Sequence, residues 1–167
     1  MKRMACAFTG HRPIKFPWGY NENAPGCKRL KETLEQEIIS LVQKGYTDFL
    51  SGMAEGTDTW AALVVLKLRD THPELKLHCI LPCKSQAERW NPSAQLCYHS
   101  ILEQADSIIY VGREYHRNCM LERNRFLVDH AQLVLAVYNG EQRGGTACTV
   151  RYARKEGKAI LLINPIV

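Results

Sequence analysis

The sequence of 167 residues has no apolar run near the ~20 residues a helix needs to cross a bilayer, and its opening residues Met1 to Phe8 meet the polar Thr9-Gly10-His11-Arg12 too soon for a signal peptide. A cytoplasmic protein with no membrane association is therefore expected. It also lacks an even, regularly spaced set of cysteines: there are seven, scattered through segments that otherwise look like core. Reduced thiols are expected, with no structural disulfide. Blocks of like charge are missing too. Lys+Arg 22 against Asp+Glu 17 gives a net charge of +5, but the basic residues fall in small groups, such as Lys28-Arg29-Lys31, Arg123 with Arg125, and Arg151 to Lys158. That spread favours solvated helix surfaces and a few anion-binding arginines over a nucleic-acid face. No internal repeat, low-complexity tract or linker is found, so one domain is expected over 1–167, large enough to bury its core without metals or disulfides.

Short apolar runs alternate with longer helical patterns. Runs at Met4 to Thr9, Thr47 to Leu50, Leu75 to Leu81, Ser107 to Val111, Leu133 to Tyr138 and Ala159 to Ile163 predict six strands, most closed by Gly or Pro. Between them, apolar residues recur three and four apart from Cys27 to Lys44 (Leu30, Leu34, Ile38, Leu41), with Gly45 as a stop. Further helices are predicted over Thr57 to Thr71, Ser85 to Trp90, Pro92 to Gln104, Asn118 to His130 and Thr146 to Glu156. Gly10 to Gly26, rich in Pro, Gly and Asn, is expected to be a long functional loop. Strands alternating with helices predict a fold in the α/β class, a doubly wound, mostly parallel sheet with helices on both faces.

Ligands of such sheets bind beyond the carboxyl ends of the strands. There the sequence carries Thr9-Gly10-His11-Arg12 after strand one, Ser51-Gly52-Met53-Ala54-Glu55-Gly56-Thr57-Asp58 after strand two, and Arg143-Gly144-Gly145-Thr146 after strand five. Glycine before a helix lets a ligand approach the backbone, and the free N–H groups of the first turn attract an anion. Either junction alone equally suits a tight turn, with Thr57 or Thr146 as cap; two together favour a phosphate or nucleotide. Neither G-x-G-x-x-G nor G-x-x-x-x-G-K-[ST] occurs, which argues against dehydrogenase and P-loop chemistry. Cys79 and Cys83 have no second ligand pair, so no metal is expected. Glu55 could bind a ribose hydroxyl, orient water or accept a proton, or be a solvated loop acid. Asp58 is read as a partner of the helix dipole or a cap. Arg12 suits phosphate or base stacking, His11 a ligand contact or a satisfied loop imidazole, and Arg123 either the site or a surface ion pair. Trp18, Tyr20 and Trp90 could wall a flat ring, whereas Trp60, set among Ala, Leu and Val, is expected in the core.

Taken in order, Phe8-Thr9-Gly10-His11-Arg12-Pro13, the Ser51 to Asp58 stretch, Arg123-Asn124-Arg125 with Val128-Asp129, and Gly144-Gly145-Thr146-Ala147 resemble the hallmarks of the YpsA-like (DUF1273) family, from Met4 to about Ile163. That family is placed in the SLOG superfamily, with the LOG cytokinin-activating phosphoribohydrolases and the DNA-processing protein DprA. The resemblance implies a Rossmann-like domain that binds a nucleotide or nucleotide-derived ligand, with no further cofactor, and dimerisation like that of many SLOG relatives. The expected ligand-binding set is Thr9, Gly10, His11, Arg12, Ser51, Gly52, Gly56, Thr57, Asn124, Gly144, Gly145 and Thr146. The LOG motif Met-His-x-Arg-Lys is similar to Met120-Leu121-Glu122-Arg123-Asn124, which would make Arg123 the catalytic arginine if the chain is an enzyme, with Glu55 beside it. Yet the glutamate of the LOG motif Pro-Gly-Gly-x-Gly-Thr-x-x-Glu has no match, for no acid follows Thr146 until Glu156. The expected function is therefore ligand binding in a sensor or regulatory module. Hydrolysis of a nucleotide derivative is the alternative, and single-stranded nucleic-acid binding ranks last.

Overall fold

A computed structural model describes residues 3–166. Six strands, β1 (Met4–Gly10), β2 (Tyr46–Ser51), β3 (Lys76–Leu81), β4 (Ser107–Tyr110), β5 (Leu133–Val137) and β6 (Ala159–Ile163), form one sheet in the order β4-β3-β2-β1-β5-β6. Every neighbouring pair is parallel. The crossovers carry five helices, α1 (Pro25–Gln43), α2 (Thr57–Arg69), α3 (Pro92–Gln104), α4 (Cys119–Asp129) and α5 (Gly145–Lys155). The doubly wound α/β architecture expected from the alternation is the one observed.

Alternation along β1 splits the core. Cys6 and Phe8 join the cluster under α1 and α2, where Phe8 stacks on Phe49 at 5.8 Å, while Ala7 packs with Leu50, Ile80 and Leu127 of α4 on the opposite face. Both faces being covered is why these strands read as continuous apolar runs rather than alternating ones. Helix α1 buries Cys27, Leu30, Leu34, Ile38 and Leu41, one stripe at three- and four-residue spacing. Trp60 lies in the core as expected.

Two segments differ from the sequence reading. Ser85 to Trp90 is a run of turns rather than a helix: its bonds, Glu88 N–H to Ser85 O and Trp90 N–H to Ala87 O, each span three residues. Asn91 ends it by capping α3, its Oδ1 accepting from Ala94 N–H at 2.8 Å. The segment after Gly10 is ordered. It forms a 3-10 turn at Pro13–Lys15 and successive turns up to Ala24, and α1 starts at Pro25, at the helix's first position where proline is best tolerated. Its anchor is a stack of Trp18 on Phe16 (4.9 Å) and Phe16 on Trp60 (5.6 Å).

Candidate functional site

The strand order reverses at β1, whose neighbours are β2 and β5. The chain leaving β1 turns towards α1 and the chain leaving β5 turns towards α5 on the other face, so their loops part at this point and open a crevice. His11 ties the two strand ends together. Its backbone N–H donates to Val137 O (3.1 Å), and its ring Nε2 accepts the N–H of Asn139 (3.1 Å). Burial lowers the pKa of His11, against the pull of Glu141 at 4.0 Å from Nδ1. An N–H aimed at Nε2 likewise requires the neutral ring. The imidazole is thus a fixed, uncharged strut.

The crevice is a cleft of about 230 Å³. On one wall stands the amino end of α5. Gly144 precedes the helix with φ +108°, which an L side chain rarely adopts, and a Cβ on Gly145 would meet open space. No side chain caps this end and no acid lies in its first turn, so its N–H groups are open to the cleft; the nearest carboxylate, Glu141, with Oε1 3.3 Å from where a Gly144 Cβ would stand, is paired with Lys15. Arg12, Ile14 and Lys15 lie opposite. Lys15 pairs with Glu141 at 3.1 Å, and the exposed Arg12 has no carboxylate within ion-pair distance among the described residues.

The floor is built on Arg123. This guanidinium is 2% exposed and held on two of its nitrogens: Nη1 donates to Gly52 O and Gln86 Oε1 (3.2 Å) and Nε to Asn124 Oδ1 (2.8 Å), while Nη2 has the weak acceptor Met120 Sδ at 3.6 Å. Gly52 is where the guanidinium lies flat on the backbone, since a Cβ there would be 2.7 Å from Arg123 Cζ. Asp58 borders the same floor, 6% exposed. Its Oδ2 accepts from Ala54 N–H (3.2 Å) while Oδ1 is buried without a partner. Burial raises its pKa, and the charge of Arg123 opposes that shift.

Of the residues singled out in the sequence, Thr9, Gly10, His11, Arg12, Arg123, Asn124, Gly144, Gly145 and Thr146 line this cleft. Ser51, Gly52, Gly56 and Thr57 do not. Ser51 Oγ donates to Asp58 O and accepts from Met53 N–H, Gly52 seats Arg123, and Thr57 Oγ1 donates to His11 O (3.1 Å) while its side chain fills the space over Gly10. These four shape the β2–α2 turn. Gly56 bends it at φ +87°. Glu55 lines the neighbouring clefts, with Tyr20 and Trp90. Trp18 belongs to the aromatic stack instead. Asp58 lies in the cleft wall rather than capping α2, and Ile14, Lys15, Met120 and Glu141 line it without having been singled out. A signal for Asp58 was available: a carboxylate on the first turn of a helix as apolar as α2 is buried with it, and a buried acid needs a reason. For the other four the sequence carries none. Among the described residues no group of three His, Cys, Asp or Glu is placed to hold a metal, and no helix is long and apolar enough to cross a membrane.

Comparisons with known proteins agree with this architecture. A search of solved structures finds DNA processing protein A from Helicobacter pylori, a structure described for its single-stranded DNA binding mode, at a TM-score of 0.62 and 20% identity. The match covers 96% of this chain and 65% of that one. At that identity the likeness is one of fold. The chain is 32% identical over 152 residues to the UPF0398 protein BH1768 of Halalkalibacterium halodurans, covering 87% of this chain and 80% of the relative. It is 30% identical over 154 residues to a UPF0398 protein of Bacillus cereus, covering 91% and 83%. The YpsA family model, described as the YspA SLOG family, matches residues 6–165, and the chain belongs to that family.

Proposed function

We propose that the protein binds a nucleotide or a nucleotide-derived ligand in the cleft between β1 and β5, as a sensor or regulatory module. The observation that carries this reading is the amino end of α5, which has no capping side chain and lines the same cleft as Arg12, a cation without an ion-pair partner among the described residues. A phosphate suits that pair, and the hydrogen-bonding groups of Thr9, Asn124 and Thr146 on the same cleft suit a ribose. Binding is favoured over hydrolysis because Nε and Nη1 of Arg123 are engaged by Asn124, Gly52 and Gln86, which fix the guanidinium in place, and because Glu55 lines the next cleft rather than this one. The test is a thermal-shift screen with nucleoside mono- and diphosphates, NAD and ADP-ribose. A binder at 100 times its Kd adds about 2.7 kcal/mol, which for a domain of this size raises Tm by roughly 5–10 °C. Gly145→Trp, at a position with open space around it, folds and loses the shift. A shift that survives this substitution, or the absence of any shift, defeats the proposal.

A second reading, single-stranded nucleic-acid binding, is favoured by a specific feature of the same rim. The loops beyond β1, β3, β4 and β5 expose Arg12, Lys15, Arg89, Arg113, Arg117 and Arg143, interleaved with the exposed rings of Tyr20 and Tyr115. Cationic tracks with aromatic stacking surfaces suit single strands, and the fold neighbour from Helicobacter pylori is a single-stranded DNA binder. Anisotropy with a labelled oligonucleotide tests it: log K falls with log salt by about 0.7 per phosphate contacted, and a flat salt response or no binding rules it out.

A further inference from the structure

Beyond Arg12 and Ile14, which form the wall they share, the nucleotide cleft is followed by a second cleft of about 340 Å³ that also contains Tyr20, Glu55, Arg89 and Trp90. Its contents differ in kind from those of the first. The amino end of α3 that borders it is already capped by Asn91, whose Oδ1 accepts from Ala94 N–H, and there is aromatic surface: Tyr20 is 64% exposed, a large ring with no place in the core, and the half-buried Trp90 is held edge-on to Tyr98 at 5.2 Å. Within this surface lies one carboxylate. Glu55 is half-buried and makes no hydrogen bond or ion pair among the described residues. Burial raises its pKa, against the pull of Arg12. Arg89 is likewise without an ion-pair partner among the described residues. A carboxylate and a guanidinium in one cleft, both unengaged and bordered by rings, form a polar edge beside a flat surface.

We propose that this second cleft is a guanine-selective base site, with Glu55 accepting the two parallel N–H groups of the ring's amide and amino edge and Arg89 donating to its carbonyl oxygen. The proposal rests on the nucleotide reading above and gives that ligand its base. The pattern is chemical. A carboxylate offers acceptors only, so it matches the adjacent donors N1–H and N2–H of guanine. Adenine sets a ring nitrogen lone pair beside its amino group, which would face the carboxylate as acceptor against acceptor. Hypoxanthine keeps N1–H and the carbonyl and loses the amino donor. Tyr20 and Trp90 supply ring surface that any base accepts, so discrimination falls to Glu55 and Arg89.

Titration of the whole chain with GMP, IMP, AMP and ribose 5-phosphate, for the native protein and Glu55→Gln, decides it. The expected order is GMP, then IMP, then AMP, with about tenfold or more lost for each donor to the carboxylate that disappears. Glu55→Gln brings GMP and AMP to within about threefold and leaves ribose 5-phosphate affinity unchanged, which also shows that the variant is folded. Ribose 5-phosphate binding with equal affinity for GMP and AMP overturns the base site while leaving the nucleotide cleft standing, as does a guanine preference that survives in Glu55→Gln. If neither ribose 5-phosphate nor any nucleotide binds, both proposals fall.

Discussion

Replacing Gly52 by alanine tests whether Arg123 is a structural keystone or a free catalytic cation. The backbone at Gly52 needs no positive φ, so the substitution costs nothing there, and all of its effect comes from the added methyl. That methyl would stand 2.7 Å from Arg123 Cζ and Nη1 and 2.8 Å from Nε. The guanidinium is 2% exposed and held by Gly52 O, Gln86 and Asn124, so it cannot withdraw without breaking bonds. Overpacking of this kind costs about 1–3 kcal/mol, and losing one charge-assisted hydrogen bond costs about 1.5–3 kcal/mol. We expect Gly52→Ala to lose about 3 kcal/mol, or roughly 6–12 °C in Tm. Arg123→Ala removes the charge-assisted hydrogen bonds to Gly52 O, Gln86 and Asn124 and leaves those buried acceptors unmet, a cost of about 3 kcal/mol or more. In that background the added methyl at position 52 has room, so the double variant should be within about 0.5 kcal/mol of Arg123→Ala alone, a coupling of about 3 kcal/mol. Urea unfolding of the four proteins measures it. Additive losses, or a Gly52→Ala variant as stable as the native protein, would refute the packing argument.

Asp58 has a folded pKa raised above its unfolded value, so it destabilises the fold progressively as pH rises from about 4 through that raised pKa. Asp58→Asn removes this slope, and its stability relative to the native protein should climb from pH 4 to pH 7 in urea titrations. Asp48 has the opposite sign. Burial would raise it, but hydrogen bonds from His78 (2.8 Å), Thr47 (2.8 Å) and Arg3 hold it below the ordinary carboxylate value. Its contribution is present above the unfolded pKa and lost as pH falls through the folded one, so Asp48→Asn should flatten the acid limb of the stability curve below about pH 4. Of the seven cysteines only Cys148 is exposed, and burial pushes Cys79 up to about 12; a thiol reagent should label one residue rapidly in the native protein and seven in denaturant.

The fold was legible because its signals are local. Each strand is an apolar run closed by a breaker, and α1 announces itself through Leu30, Leu34, Ile38 and Leu41. The exceptions are where a neighbour decides. Ser85 to Trp90 has no helix-breaking residue inside it, yet Pro82 and the capping Asn91 leave it too short to propagate a helix. The cleft lining was legible in the residues that follow β1, in Arg123 and Asn124 and in the Gly144 junction, but not in the Gly52 to Thr57 junction. Gly52 looked like a phosphate glycine because the side chain lying on it comes from Arg123, 71 positions away. Asp58 does lie in the first turn of α2, where its reading as a dipole partner put it, but nothing in a linear sequence tells that this face of α2 also turns towards the cleft. Glu55 sits three residues from Asp58, and the tight turn at Gly56, forced by the close backbone of His11 and Arg12, sends it into the adjoining cleft.

The partnership of β1 with β5 has a consequence for the order in which the protein is made. His11 meets Asn139 across 128 positions, and the amino end of α5 follows at Gly145. Chains grow from the amino end at about 5–20 residues per second. A nascent chain can therefore assemble β1 to β4 with α1 to α3 while the crevice still lacks one wall. The aromatic stack on Phe16, the Arg12 loop and the turn at Gly56 all belong to that earlier part of the chain, and the amino end of α5 to the last part. The crevice is complete only once β5 has closed against β1, so a ligand that needs both walls has its site only from that point.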